Sequence, residues 1–186
     1  NQMLFRLALP YQNPPLRLAV PGGPVRRRRG WQDGSVTETP IPDGTRRVAT
    51  RLAELGHPHD VVMLPVTGRT AADAATALGV ELGQIAKSIV FRRRSDDKAV
   101  LVVTSGDLRV DEKKVSALVG ALGRADADFV KASTGFSIGG VSPVAHTTPP
   151  VIVVDRELFR FRQVWAAAGH PHAVFPLSPE ELVALT

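Results

Sequence analysis

The chain has no cysteine among its 186 residues. That excludes disulfides, thiolate metal sites, a thiol nucleophile and thioredoxin-like motifs, and makes a cytoplasmic location the simplest reading. Long apolar runs are also missing. The longest candidates, Ala99–Val103 and Val151–Val154, have strand length, far short of the roughly 18 residues a membrane span needs, so no membrane partner is expected. Residues 1–35 show neither the continuous apolar segment nor the cleavage site of a secretory signal. Nor is there excess charge beyond that segment. A pI near 10.2 suggests a polyanion partner, yet Arg6, Arg17 and Arg26–Arg29 against Asp33 alone give residues 1–35 the same net +5 as the whole chain. Residues 36–186 are formally neutral, and any polyanion contact there must come from local clustering.

What is present divides into two parts. Residues 1–35, rich in proline and arginine and without sustained helical or strand period, read as a flexible tail, with the arginine run a solvated segment in preference to the alternative of a nucleic-acid-binding arm. Residues 36–186 read as one α/β domain with a mixed sheet. Asp43 is placed to cap a helix stopped by Gly56, and Asp60–Val66 reads as a strand. Thr70 opens an alanine-rich helix ending near Gly79, and strands follow at Ile85–Phe91 and Ala99–Thr104. Asp111 caps a helix carrying Val115, Leu118, Val119 and Leu122, and Asp128 caps a short one closed by Gly135. Val151–Val154 has the unbroken apolar character of a buried strand, and strands flank Gly169-His170-Pro171. Ser178-Pro179-Glu180-Glu181 starts a last helix. There is no internal repeat.

Several motifs fail on inspection. Gly83-Gln84-Ile85-Ala86-Lys87-Ser88 ends like a phosphate-binding loop, but Ala86 stands where glycine is required. The glycines at 135, 139 and 140 lack dinucleotide-binding spacing. His57-Pro58-His59 and His170-Pro171-His172 fit no metal pattern and read as surface-loop histidines, so neither metal nor cofactor is expected. Ser88 beside Lys87 forms no dyad, because neighbouring side chains on a strand face opposite ways. Lys87 is the informative residue of that strand. An ammonium in an apolar strand must reach solvent or face a polar cavity. The other is the run from Ser133 to Pro143, where glycines let a ligand approach main-chain N–H groups.

Taken in order, Thr70-Ala71-Ala72, Lys87-Ser88-Ile89-Val90-Phe91, Ser133-Thr134-Gly135-Phe136, Gly139-Gly140-Val141-Ser142-Pro143 and Val151–Asp155 resemble the YbaK/prolyl-tRNA synthetase-associated editing domain over roughly residues 45–185. The resemblance implies a single domain with a mixed, barrel-like sheet surrounded by helices. It implies a trans-editing deacylase that hydrolyses the ester of mischarged tRNA, typically proline tRNA, bound by its acceptor end. Lys87, Gly139 and Gly140 fall on the catalytic positions. Thr70, Ser88, Thr134, Gly135, Phe136, Val141, Ser142, Pro143 and His146 are the expected substrate contacts. The alternative is a non-catalytic tRNA-end or nucleotide-binding module of the same fold. Monomer and homodimer both remain open.

Overall fold

A computed structural model describes residues 41–64 and 70–186. The tail read over residues 1–35 and the far end of the Asp60–Val66 strand lie outside the described residues. In chain order the elements are α1 (Asp43–Glu54), β1 (Val62–Met63), α2 (Ala71–Leu78), β2 (Ile85–Arg93), β3 (Ala99–Ser105), α3 (Glu112–Val119), β4 (Leu122–Arg124), α4 (Ala127–Thr134), β5 (Val151–Val154), β6 (Val164–Ala167), β7 (Ala173–Leu177) and α5 (Pro179–Leu185). Single 3-10 turns at Leu82–Gln84 and Arg156–Arg160 join them. Among the described residues no helix is long and apolar enough to cross a membrane.

Local chemistry sets most boundaries. Thr70 and Asp73 form a reciprocal capping box on α2, Gly79 ends that helix in the left-handed region, and Ser178 and Glu181 repeat the box on α5. Three expectations are corrected. Pro42, not Asp43, occupies the cap of α1, and Asp43 is the first helical residue, where a carboxylate favours the helix dipole. Asp126, not Asp128, caps α4 by accepting from Phe129 N–H at 2.8 Å. α3 stops at Val119 because Gly120 turns the chain at φ 96°, and Leu122 leaves the helix for β4.

The seven strands form one mixed sheet ordered β1-β7-β6-β2-β3-β5, with β4 paired to the far end of β2. β2 with β6 and β3 with β5 are parallel, and the remaining pairs are antiparallel. The sheet is open, ending at β1 and β5, so the barrel-like closure expected from the resemblance holds only as a loose description of an α/β sheet with helices on both faces.

β3 is buried at every residue, which its unbroken apolar run requires when both faces are covered. On one face Leu101 and Val103 pack with Ile152, Val154 and Phe175 beneath Val48 and Leu52 of α1, Val130 of α4 and Leu182 of α5. On the other, Val100, Val102 and Phe91 meet Val115 and Val119 of α3, while Ala74 and Ala75 of α2 cover Ile85 and Val174. The first turn of α1 rests directly on the connection after β6. A Cβ at Gly44 would collide with the Gly169 carbonyl, and one at Gly169, whose φ is 81°, with Gly44.

Leu101 is fully enclosed. Leu101→Ala is expected to cost about 2–5 kcal/mol through lost transfer energy and an unfilled cavity. Leu118→Ala, at a side chain 43% exposed, should change stability by no more than about 0.5 kcal/mol. Urea unfolding of both variants measures the contrast.

Candidate active site

β2 is central in the sheet, yet its middle is open. β6 pairs only with Ile85 and Ala86, and β4 only with Phe91–Arg93. Residues 87–90 therefore have a strand neighbour on the β3 side alone. Helix cover is interrupted at the same place. The α2 cluster ends at Ile85 and the α3 cluster begins at Phe91, and neither includes Lys87 or Ile89. Ile89 is 37% exposed in consequence. Lys87 and Ile89 thus lie in a gap in the helix cover of β2 between α2 and α3, and the segment after β3 reaches Lys87 there.

The Lys87 ammonium donates to the Leu108 carbonyl at 2.6 Å. Its cross-strand partner is Thr104, whose buried hydroxyl donates to Asp155 Oδ2 at 2.7 Å. Partial burial lowers the Lys87 pKa, Asp107 opposes the shift, and Arg109 adds to it. Asp107 is itself held below the usual carboxylate range by the Ser105 hydroxyl and then by Arg160, whose Nη2 donates to its carboxylate oxygens at 2.9 and 3.0 Å. The lysine thus sits at the edge of a fixed polar network.

The glycine loop lies toward the other face of the sheet, where Phe136, Val141 and Val144 join the core that contains Ala86 and Leu101. Lys87 projects from the opposite face, with Ile85 and Phe91. Gly140 N–H donates to the Ser137 carbonyl at 3.0 Å and closes a turn, so it is not an open donor as expected from sequence. Gly139 N–H, at a φ of 91° on the exposed side of that turn, has no partner among the described residues. Gly140 is glycine for a different reason. A Cβ there would lie 2.8 Å from the His170 main chain, and one at Gly139 would touch Pro171.

The His170-Pro171-His172 turn, read as surface loop from sequence, is therefore a wall of the site. It follows β6, whose pairing with β2 ends at Ala86–Ala166. His172 N–H donates to His170 Nδ1 at 3.2 Å, which assigns the proton of neutral His170 to Nε2. Burial and the neighbouring His172 lower the His170 pKa. The only signal in the sequence was Gly140 itself, whose close partner lies thirty positions away and is unspecified by any local pattern.

Most of the other expected contacts support the loop from beneath. Thr134 is fully buried, with its hydroxyl donating to Val130 O at 2.7 Å and accepting from Phe136 N–H at 3.1 Å. Gly135 takes φ 76° where a Cβ would strike Arg47 and Thr147. Phe136, Val141, Ser142 and Pro143 are enclosed. Ser88 presents a buried hydroxyl without a partner on the face opposite Lys87. Thr70 is exposed at the cap of α2 and accepts from Asp73 N–H. Arg47, not singled out from sequence, lies 4.4 Å over the Phe136 ring, and His146 meets the same ring edge-on. His146 Nε2 donates to the Ser142 carbonyl at 2.8 Å. Burial, assisted by Arg47, pushes the imidazole down to about 4.

The aminoacyl-tRNA editing domain family model matches residues 66–185. The uncharacterized protein YwhH of Bacillus subtilis is 33% identical over 138 residues, covering 74% of this chain and 87% of its own. A crystal structure of a candidate trans-editing enzyme for prolyl tRNA synthetase is 44% identical with a TM-score of 0.74, covering 79% of this chain and 94% of that one. The crystal structure of hypothetical protein APE2540 is 33% identical with a TM-score of 0.68, covering 75% and 93%.

His146 gives the site a pH signature. Its folded pKa of about 4 lies below the ordinary value of 6.5, so between these limits the unfolded chain binds a proton that the folded one does not. The stabilisation is complete above 6.5 and falls away as pH drops toward 4, by at most about 3 kcal/mol. Melting of wild type and His146→Gln at pH 7.5 and 4.5 should show a smaller acid loss in the variant. Equal losses would mean that His146 titrates normally.

Proposed function

The chain belongs to the aminoacyl-tRNA editing domain family, and we propose that it hydrolyses the ester of mischarged aminoacyl-tRNA in trans, on proline tRNA carrying a non-cognate amino acid, in the cytoplasm. The observation that carries this reading is the extent of the family match, residues 66–185, which includes Lys87, the glycine loop and the His170–His172 turn. The 44%-identical structure named for prolyl tRNA synthetase supports the choice of tRNA.

The chemistry asks little of the protein. An aminoacyl ester is already activated by its α-ammonium, so a held water and a stabilised oxyanion suffice. Water attacks the carbonyl carbon, negative charge develops on the carbonyl oxygen, and the terminal ribose hydroxyl leaves with a proton. Gly139 N–H, which has no partner among the described residues, is the oxyanion donor. Lys87 holds an oxygen of the terminal nucleotide with the donors that Leu108 leaves unused. Gly140 acts by shape, letting the loop close on His170. No side-chain nucleophile is required.

The direct test is amino acid release from proline tRNA charged with alanine, cysteine, serine or threonine. Release of at least one above the buffer rate is expected, and tRNA binding with every ester intact would replace the enzyme by a binding module. Lys87→Ala should lower release about 100-fold or more, with a melting change matching about 1 kcal/mol for one lost hydrogen bond. Wild-type turnover would remove the lysine from the site.

Gly140→Ala should impair release and also melt lower, by about 1–3 kcal/mol, because its Cβ has nowhere to go against the His170 main chain. Ser137→Ala, at an exposed position of the same turn, should do neither. A glycine variant with normal release and stability would show that loop and turn do not need their close approach.

A further inference from the structure

A concave surface lies away from the β2 gap, between α1 and the segment 143–152. α1 sets Arg46, Arg47 and Arg51 along one wall, the end of β2 supplies Arg93, and the β2–β3 connection supplies Lys98. Only Asp43 and Glu54 bring carboxylates to the lining. Those two are engaged, Asp43 with Arg46 at 3.3 Å and Glu54 with Arg51 at 3.1 Å, while Arg93 pairs with Asp96 at 2.6 Å. Arg47 and Lys98 are in no ion pair among the described residues. Arg47 also keeps a buried Nε without a partner while its guanidinium is braced on Phe136. Ala145, a non-glycine residue at φ 62°, lines the same groove, a conformation that costs about 1–2 kcal/mol. Beyond residue 35 the chain is formally neutral, so this is a local concentration of positive charge.

We propose that this groove seats the sugar-phosphate backbone of the tRNA, an inference that rests on the editing reading above. The cations are spread along two walls, with Arg47 and Arg51 one helical turn apart, about 5–6 Å, an arrangement suited to an extended polyanion rather than to one phosphate. Pro143–His146 border the groove, and Gly139 and Gly140 at the start of the same loop touch the His170–Pro171 turn. A backbone lying in the groove is thereby led along the loop toward Gly139, the proposed oxyanion donor.

The test is the salt dependence of tRNA binding, because each phosphate contact adds about one to the slope of log affinity against log salt. Binding of an uncharged proline tRNA transcript is measured by fluorescence anisotropy between about 50 and 200 mM salt. Three proteins are compared: wild type, the groove pair Arg51→Ala/Lys98→Ala, and the control pair Lys113→Ala/Arg124→Ala, which removes equal charge from exposed positions outside the groove. The groove pair should bind at least about tenfold more weakly at the low-salt end, with a slope reduced by about two. The control pair should keep the wild-type slope. Equal changes in the two pairs, or none in either, overturn the proposal. Amino acid release by the same wild-type preparation reports separately. Release with no groove-specific effect sinks the groove alone, and a groove-specific effect without release sinks the hydrolytic reading and leaves RNA binding in place.

Discussion

The interrupted ladder on one edge of β2 is the constraint from which the site follows. A central strand normally has both edges hydrogen-bonded and both faces covered. Here β6 diverges after Ala86 and β4 arrives only at Phe91, while α2 and α3 cover the same strand on either side of the gap. Among the described residues the main chain at 87–90 therefore has a strand neighbour on the β3 side alone, and Lys87 stands on that stretch.

Two kinds of glycine hold that arrangement. Gly135 and Gly139 are needed for their left-handed backbone. Gly140 and Gly44 are needed because another main chain occupies the volume of a side chain. The distinction matters chemically. The first kind aims N–H groups and the second brings separate segments together, and the main-chain oxyanion site we propose requires both.

The sequence made the local parts legible. Capping boxes at Thr70 and Ser178, the glycine stops at 79 and 135, and the unbroken runs at Ala99 and Val151 all state their structure within a few residues. Lys87 was conspicuous because an ammonium in an apolar strand needs a reason. What could not be read depended on distant segments. Leu122 continues a helical spacing, yet pairs with Arg93 in β4. Asp126 and Asp128 are equally good caps on composition, and only the chain path chooses between them. Thr134, Phe136 and Ser142 carry polar or aromatic groups in a loop, which suggests ligand contact, but packing turns them inward. The stacking of Arg47 on Phe136 joins residues 89 positions apart and leaves no trace in either neighbourhood.

The close contact between Gly44 and Gly169 extends the working unit beyond the family segment. The match begins at residue 66, but α1 precedes it, contributes Val48 and Leu52 to the main core and rests its first turn against the residue just before His170. A protein trimmed to the matched residues would keep Lys87, Gly139 and Gly140 but lose the abutment against Gly169 and the α1 arginines of the groove. The boundary of the family and the boundary of the machine are different boundaries. They differ by a helix that rests its main chain on Gly169 and lays the Arg47 side chain over Phe136 of the loop.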